Sequence, residues 1–142
     1  MKIGFIFECG PDGPDVQVCR HLVHKLDPTI QFVPSTLDNK KKLVEDCGPV
    51  ARALLSECEK VIIAWDLYPA WREKGIKPCR HEDRQAIFQS LKAELVDLDK
   101  VFLVCIKEEL EAWLLADHRA VTSMLQPIKH PHPVGRISRY PN

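Results

Sequence analysis

Residues 60–71, KVIIAWDLYPAW, decide how the rest of the chain is read. Val61, Ile62, Ile63 and Ala64 follow one another without a polar break, Trp65 extends the run, and a single carboxylate, Asp66, ends it. An apolar run this short, closed by a loop with Tyr68, Pro69 and Trp71, is the pattern of a strand covered on both faces. Asp66 then has two readings. It closes the turn, as aspartate commonly does, or the strand exists partly to hold that charge at a site.

Working outward, KIGFIFE (2–8) reads as a first buried strand, and CGPDGP follows as a turn with two glycines and two prolines. Asp15 stands where a helix N-cap belongs, ahead of Val16, Cys19, Leu22, Val23 and Leu26 at helical spacing. TIQFVPS (29–35) is a second short strand. Residues 39–46 read as a lysine-rich helical turn, and Pro49 as the first residue of a helix through Cys58. After the loop 67–81, a helix over 82–96 turns Ile87, Phe88, Leu91 and Leu95 inward. KVFLVCIK (100–107) is a fourth strand and EELEAWLLADHRAVTSML (108–125) is helical. Alternating strands and helices, with strands apolar on both faces, predict an α/β fold. It is a four-stranded, mainly parallel sheet with helices on both faces and right-handed crossovers, a Rossmann-like three-layer arrangement. The expected domain spans 1–125. Residues 126–142, with four prolines and a basic character, form an extended tail.

Composition narrows the function. The 142 residues carry no net charge, which does not mark an electrostatic nucleic-acid binder, and 45% hydrophobic with 28% charged residues is ordinary for a globular domain. Apolar runs reach only about six residues, far short of a membrane span. Six scattered cysteines without a Cys-x-x-Cys pair, and an N-terminus that lacks the pattern of a secretion signal, point to a reduced, cytoplasmic compartment.

In a parallel sheet the ligand crevice lies beyond the carboxyl ends of the strands. Strand one ends at Glu8, strand three at Asp66, and strand four at Lys107, Glu108 and Glu109, so the acids are expected on one edge. Carboxylates gathered there repel unless a proton or divalent cation is shared among them, and oxygen-only ligands favour magnesium or manganese. Each residue also has a plain reading. Glu8 bonds the glycine turn, Glu108 and Glu109 favour a helix dipole, and Glu111 is solvated one turn on. The segment 72–80 carries Arg72, Lys74, Lys77 and Arg80 against one acid, which suits a phosphate-bearing ligand or simply a solvated loop. Tyr68 and Trp71 lie in the loop beside Asp66, where rings stack on a base or a partner or roof the core. Trp65 and Trp113 are expected in the core, His21 and His24 in solvent, and His130 with His132 resemble a metal pair only weakly.

An acid ending strand one before a glycine turn, with an aspartate ending a later strand, resembles the Toprim fold of topoisomerases, primases and OLD-type nucleases. AWDLYPAW and EELEAWLLAD look more closely like a family of small Toprim-like bacterial proteins often described only as a domain of unknown function. The resemblance covers nearly the whole chain and implies several roles. Glu8 would be general acid/base or metal ligand, and Asp66 the first member of a magnesium-binding Asp-x-Asp pair. Tyr68 stands where the second aspartate belongs, so Glu109 or Glu111 would supply the missing oxygens, or the site would bind one ion or none. The resemblance further implies nuclease activity, nucleic acid as substrate, a partner ATPase and a place in antiphage defence. The family runs longer than this chain, which implies a truncated C-terminus.

Three functions stay open on these residues. One is a magnesium- or manganese-dependent nuclease. Another is a catalytically degenerate subunit that docks on a partner ATPase through Tyr68 and Trp71. The third is a receiver-like phosphoacceptor with Asp66 at the end of strand three.

Overall fold

The computed structural model describes residues 1–68, 77–107 and 116–125. The chain divides into two compact units, Met1–Lys107 and Glu108–Asn142. The first contains β1 (Lys2–Phe7), α1 (Pro14–Leu26), β2 (Gln31–Thr36), α2 (Lys40–Leu54), β3 (Lys60–Asp66), α3 (Arg80–Ala93) and β4 (Val101–Ile106). In the second, α4 spans His118–Leu125, and the Asp117 carboxylate accepts the Arg119 amide at its start. The expected helical stretch at 108–115 and the tail 126–142 lie outside the described residues. Among the described residues, no helix is long and apolar enough to cross a membrane.

All neighbouring strands are parallel, in the order β2-β1-β3-β4. Residues within a strand alternate between two cores, as the pleat requires. Phe5, Phe7 and Ala64 pack with Val16 of α1, together with the half-buried Cys19 and Val23. Ile6, Val61, Ile63 and Trp65 pack with Leu43, Val44, Cys47 and Ala51 of α2 and with Ile87 and Leu91 of α3. The sheet is therefore covered by one helix on one face and two on the other, the α/β class expected from its doubly apolar strands.

Local details differ from the sequence reading for identifiable reasons. Gly13, not Asp15, caps α1, because Pro14 lacks an N–H and holds the φ of a first helical residue. The buried stripe of α1 runs through Val16, Cys19 and Val23; Leu22 and Leu26 fall on its flank and are exposed. Leu95 is also exposed, since α3 stops at Ala93 and Leu95 adopts φ 54°. The Val96 amide then reaches back to the Leu91 carbonyl, a left-handed helix stop that buries Val96 in place of Leu95.

The larger difference is α2, one continuous helix with Pro49 inside it. Proline has no N–H, so the Glu45 carbonyl one turn back loses its intrahelical donor. Ser90 of α3 repairs the gap. Its hydroxyl donates to the Glu45 carbonyl at 2.9 Å and accepts the Gly48 amide at 3.0 Å. Gly48 permits this approach, because a Cβ there would collide with the Ser90 carbonyl on the α3 backbone. Asn39 starts the helix by accepting the Lys42 amide at 2.9 Å.

Ser90→Ala therefore leaves a polar gap between α2 and α3 and is expected to lower unfolding free energy by about 1–3 kcal/mol in urea titrations. Gly48→Ala forces the two helices apart and is expected to cost at least as much, about 1–3 kcal/mol or more.

Candidate functional site

The chain leaves β1 toward β2 on one side and enters β3 on the other, so the order reverses between these strands. That reversal is where open α/β sheets leave a crevice beyond the carboxyl ends of the strands. The last register pair across it is Phe7 with Ala64. Just beyond, the Asp66 amide donates to Glu8 Oε1 at 3.1 Å. The first carboxylate thus ties its own strand end to the one that carries the second. Neighbouring strand ends are tied in the same way. The Leu37 amide donates to the Phe7 carbonyl at 2.9 Å, and the Leu67 amide to the Ile106 carbonyl at 2.8 Å.

Glu8 Oε2 is buried and accepts no hydrogen bond. The Asp66 carboxyl lies close enough for a side-chain hydrogen bond to Glu8, which two carboxyl groups form when one carries a proton. Burial pushes the Glu8 pKa up to about 8; the Asp66 amide opposes this, the Asp66 charge reinforces it, and the Lys40 ammonium opposes it weakly. Near neutral pH the pair therefore holds one proton and one negative charge.

Beneath it lies a polar network that the sequence reading did not find. Lys40, at the start of α2, is 6% exposed and Asp83, in the first turn of α3, is 2% exposed. Their charged groups approach to 3.1 Å. Lys40 Nζ also donates to the Leu67 carbonyl at 2.7 Å, and the Trp65 indole N–H donates to Asp83 at 3.1 Å. Trp65 is thus a core residue, as expected, with its one polar atom satisfied. One signal was available: α2 opens with three lysines and no acid, against the helix dipole. Asp38, just before, takes φ 62°, a conformation that costs a non-glycine residue of order 1 kcal/mol and is often found beside functional sites.

Of the residues singled out in the sequence, the fold brings Glu8 and Asp66 together. Tyr68 follows two positions later with its ring 53% exposed. Lys77 and Arg80 are exposed ahead of and at the start of α3, and the charge of Arg80 is felt by Cys105, which pairs with Trp65. Arg72, Lys74 and Trp71, with Glu109 and Glu111, lie outside the described residues. His21 and His24 are exposed on α1, as expected. They line a shallow cavity of about 460 Å³ with Asp12, Gln17 and Arg20, which includes neither Glu8 nor Asp66. Among the described residues no group of three or more His, Cys, Asp or Glu side chains is placed to hold a metal ion. All six cysteines are free thiols. Burial raises the pKa of Cys47 to about 11 and moves those of Cys9, Cys19, Cys58 and Cys105 upward, so these behave as small apolar residues.

No protein-family model matches the chain, and no curated protein matches it.

The raised Glu8 pKa has a sign that can be measured. Folded chain holds a proton that the unfolded chain releases between the ordinary carboxyl value of 4.5 and about 8. The associated stability is complete below the lower value and is lost as pH rises through the upper one. Melting temperature is expected to fall between pH 5 and 9, and Glu8→Gln, which mimics the neutral acid, is expected to flatten that fall.

Proposed function

We propose that this chain is a magnesium- or manganese-dependent phosphodiesterase of the Toprim-like type that acts on nucleic acid. The observation that supports this most strongly is the Glu8–Asp66 pair at the switch point, with a buried Glu8 oxygen that accepts no hydrogen bond. Magnesium needs few protein ligands, because it is usually held by one or two carboxylates, with waters and substrate phosphates completing its shell. Two all-oxygen side chains at a strand-end crevice fit that requirement. When bound, such a cation polarises a phosphodiester and lowers the pKa of an attacking water.

The remaining roles belong to the chain. Glu8 would have to give up its proton to hold a cation, so binding would strengthen at higher pH. Its raised pKa also suits proton exchange near neutrality. Asp66 is the principal ligand, and Glu109 and Glu111 are proposed accessory ligands. Arg80 and Lys77, with Arg72 and Lys74, would hold the phosphate backbone. Tyr68 and Trp71 would stack on a base. A partner ATPase, a role in antiphage defence and a reduced cytoplasmic setting complete the proposal; the free cysteines are consistent with the last.

A second reading, a catalytically degenerate subunit that docks on a partner ATPase, is favoured by Tyr68. This exposed ring replaces the second aspartate of the Asp-x-Asp pattern and is the kind of residue that anchors interfaces.

Nicking of supercoiled DNA, or cleavage of a labelled RNA, is expected to require Mn²⁺ or Mg²⁺ and to increase from pH 6 to 8. Asp66→Ala is expected to reduce it by a factor of about 10² or more, the scale of losing a principal source of electrostatic stabilisation. Cleavage that persists in that variant with chelator present contradicts the nuclease reading. Absence of calorimetric Mn²⁺ binding, with stable co-purification of an ATPase, selects the second.

A further inference from the structure

Lys40 and Asp83 are in the wrong place for a device that serves stability alone. A buried ion pair seldom contributes more than apolar residues of similar volume, because desolvation of both charges offsets their attraction. Lys40 is also the first residue of a helix, where a cation opposes the dipole. The ammonium does more than pair with a carboxylate. At 2.7 Å it takes the carbonyl of Leu67, the residue directly after Asp66. Asp83 is held in turn by Trp65, the residue directly before Asp66. One buried network therefore grips β3 on both sides of the acid. The bond between Glu8 and the Asp66 amide lies between these two anchors in sequence.

We propose that Lys40 is a positioning residue for the Glu8–Asp66 pair. Its ammonium, oriented by Asp83, fixes the Leu67 carbonyl and with it the end of β3 that carries Asp66. Lys40 touches no substrate in this account. It sets the distance between the two oxygen donors, as the groups behind metal ligands commonly do. The consequence for cation binding rests on the reading of the pair given above; the consequence for the Asp66 amide does not.

The test compares the full-length wild type, Asp83→Asn and Lys40→Met/Asp83→Asn. Both variants lose the ion pair, but in Asp83→Asn the amide oxygen still accepts from Lys40 and Trp65, so the hold on Leu67 survives. Mn²⁺ affinity by calorimetry at pH 8 is expected to stay within about threefold in Asp83→Asn and to fall at least about tenfold in the double variant. Hydrogen exchange of the Asp66 amide, followed by NMR, is expected to accelerate at least about tenfold in the double variant alone, while the Ile63 amide is unchanged. If the double variant matches Asp83→Asn in both measurements, Lys40 is only structural and the proposal falls. If the wild type binds no Mn²⁺, the cation reading falls by itself and amide exchange alone decides the role of Lys40. Should the double variant fail to fold, Lys40→Gln replaces it with the same expected losses and the same criterion.

Discussion

A single hydrogen bond, from the Asp66 amide to the Glu8 carboxylate, closes the gap between β1 and β3 where their backbone ladder has ended. Everything distinctive at this edge of the sheet follows from it. An acid used to join two strand ends must sit partly out of water, and burial raises the cost of its charge. It must also sit beside the acid that ends the neighbouring strand, which raises that cost further. The pair answers by retaining a proton to about pH 8. Structural join and chemical potential are one feature. Joining the strand ends through Glu8 places two carboxyl groups side by side at that edge of the sheet.

Such a join needs support, because burying two carboxyl groups side by side is costly even when they share a proton. The support comes from helices rather than from strands. Lys40 enters from α2 and Asp83 from α3, and both reach the residues on either side of Asp66. These two helices are themselves set at close range by Gly48, and Ser90 fills the hydrogen-bonding gap left by Pro49. A serine hydroxyl on one helix thus helps to fix where a lysine on the other meets the end of β3. Packing between α2 and α3 is in this way continuous with the geometry of the carboxylate pair.

The layered fold was legible in the sequence because β1 and β3 are apolar on both faces, as a covered parallel sheet requires; β4 is as apolar, but leaves Phe102 and Val104 exposed on one face. The meeting of Glu8 and Asp66 followed from the same argument, since parallel strands put their ends on one edge. Lys40 and Asp83 were not legible. The lysines that open α2 against its dipole hint at a role for Lys40, but nothing local says that it meets Asp83, 43 positions away, inside the protein. Pro49 misled for a related reason. A proline reads as a helix start unless a neighbouring helix supplies the missing hydrogen bonds, and Ser90 is invisible to a local pattern. Leu95 shows the reverse: the 3-and-4 spacing marked it as buried, but a helix stop two residues earlier turned it outward. Local periodicity carried the architecture. The polar contacts between elements, which decide the chemistry, had to be read from the fold.

The most direct measurement is a crystal grown at pH 8, soaked in MnCl2 and recorded at the manganese absorption edge. The account predicts one strong anomalous peak bonded to both Glu8 and Asp66, with the Leu67 carbonyl still on Lys40. An anomalous map empty at that edge of the sheet, with the two carboxyl groups still joined to each other, would contradict it.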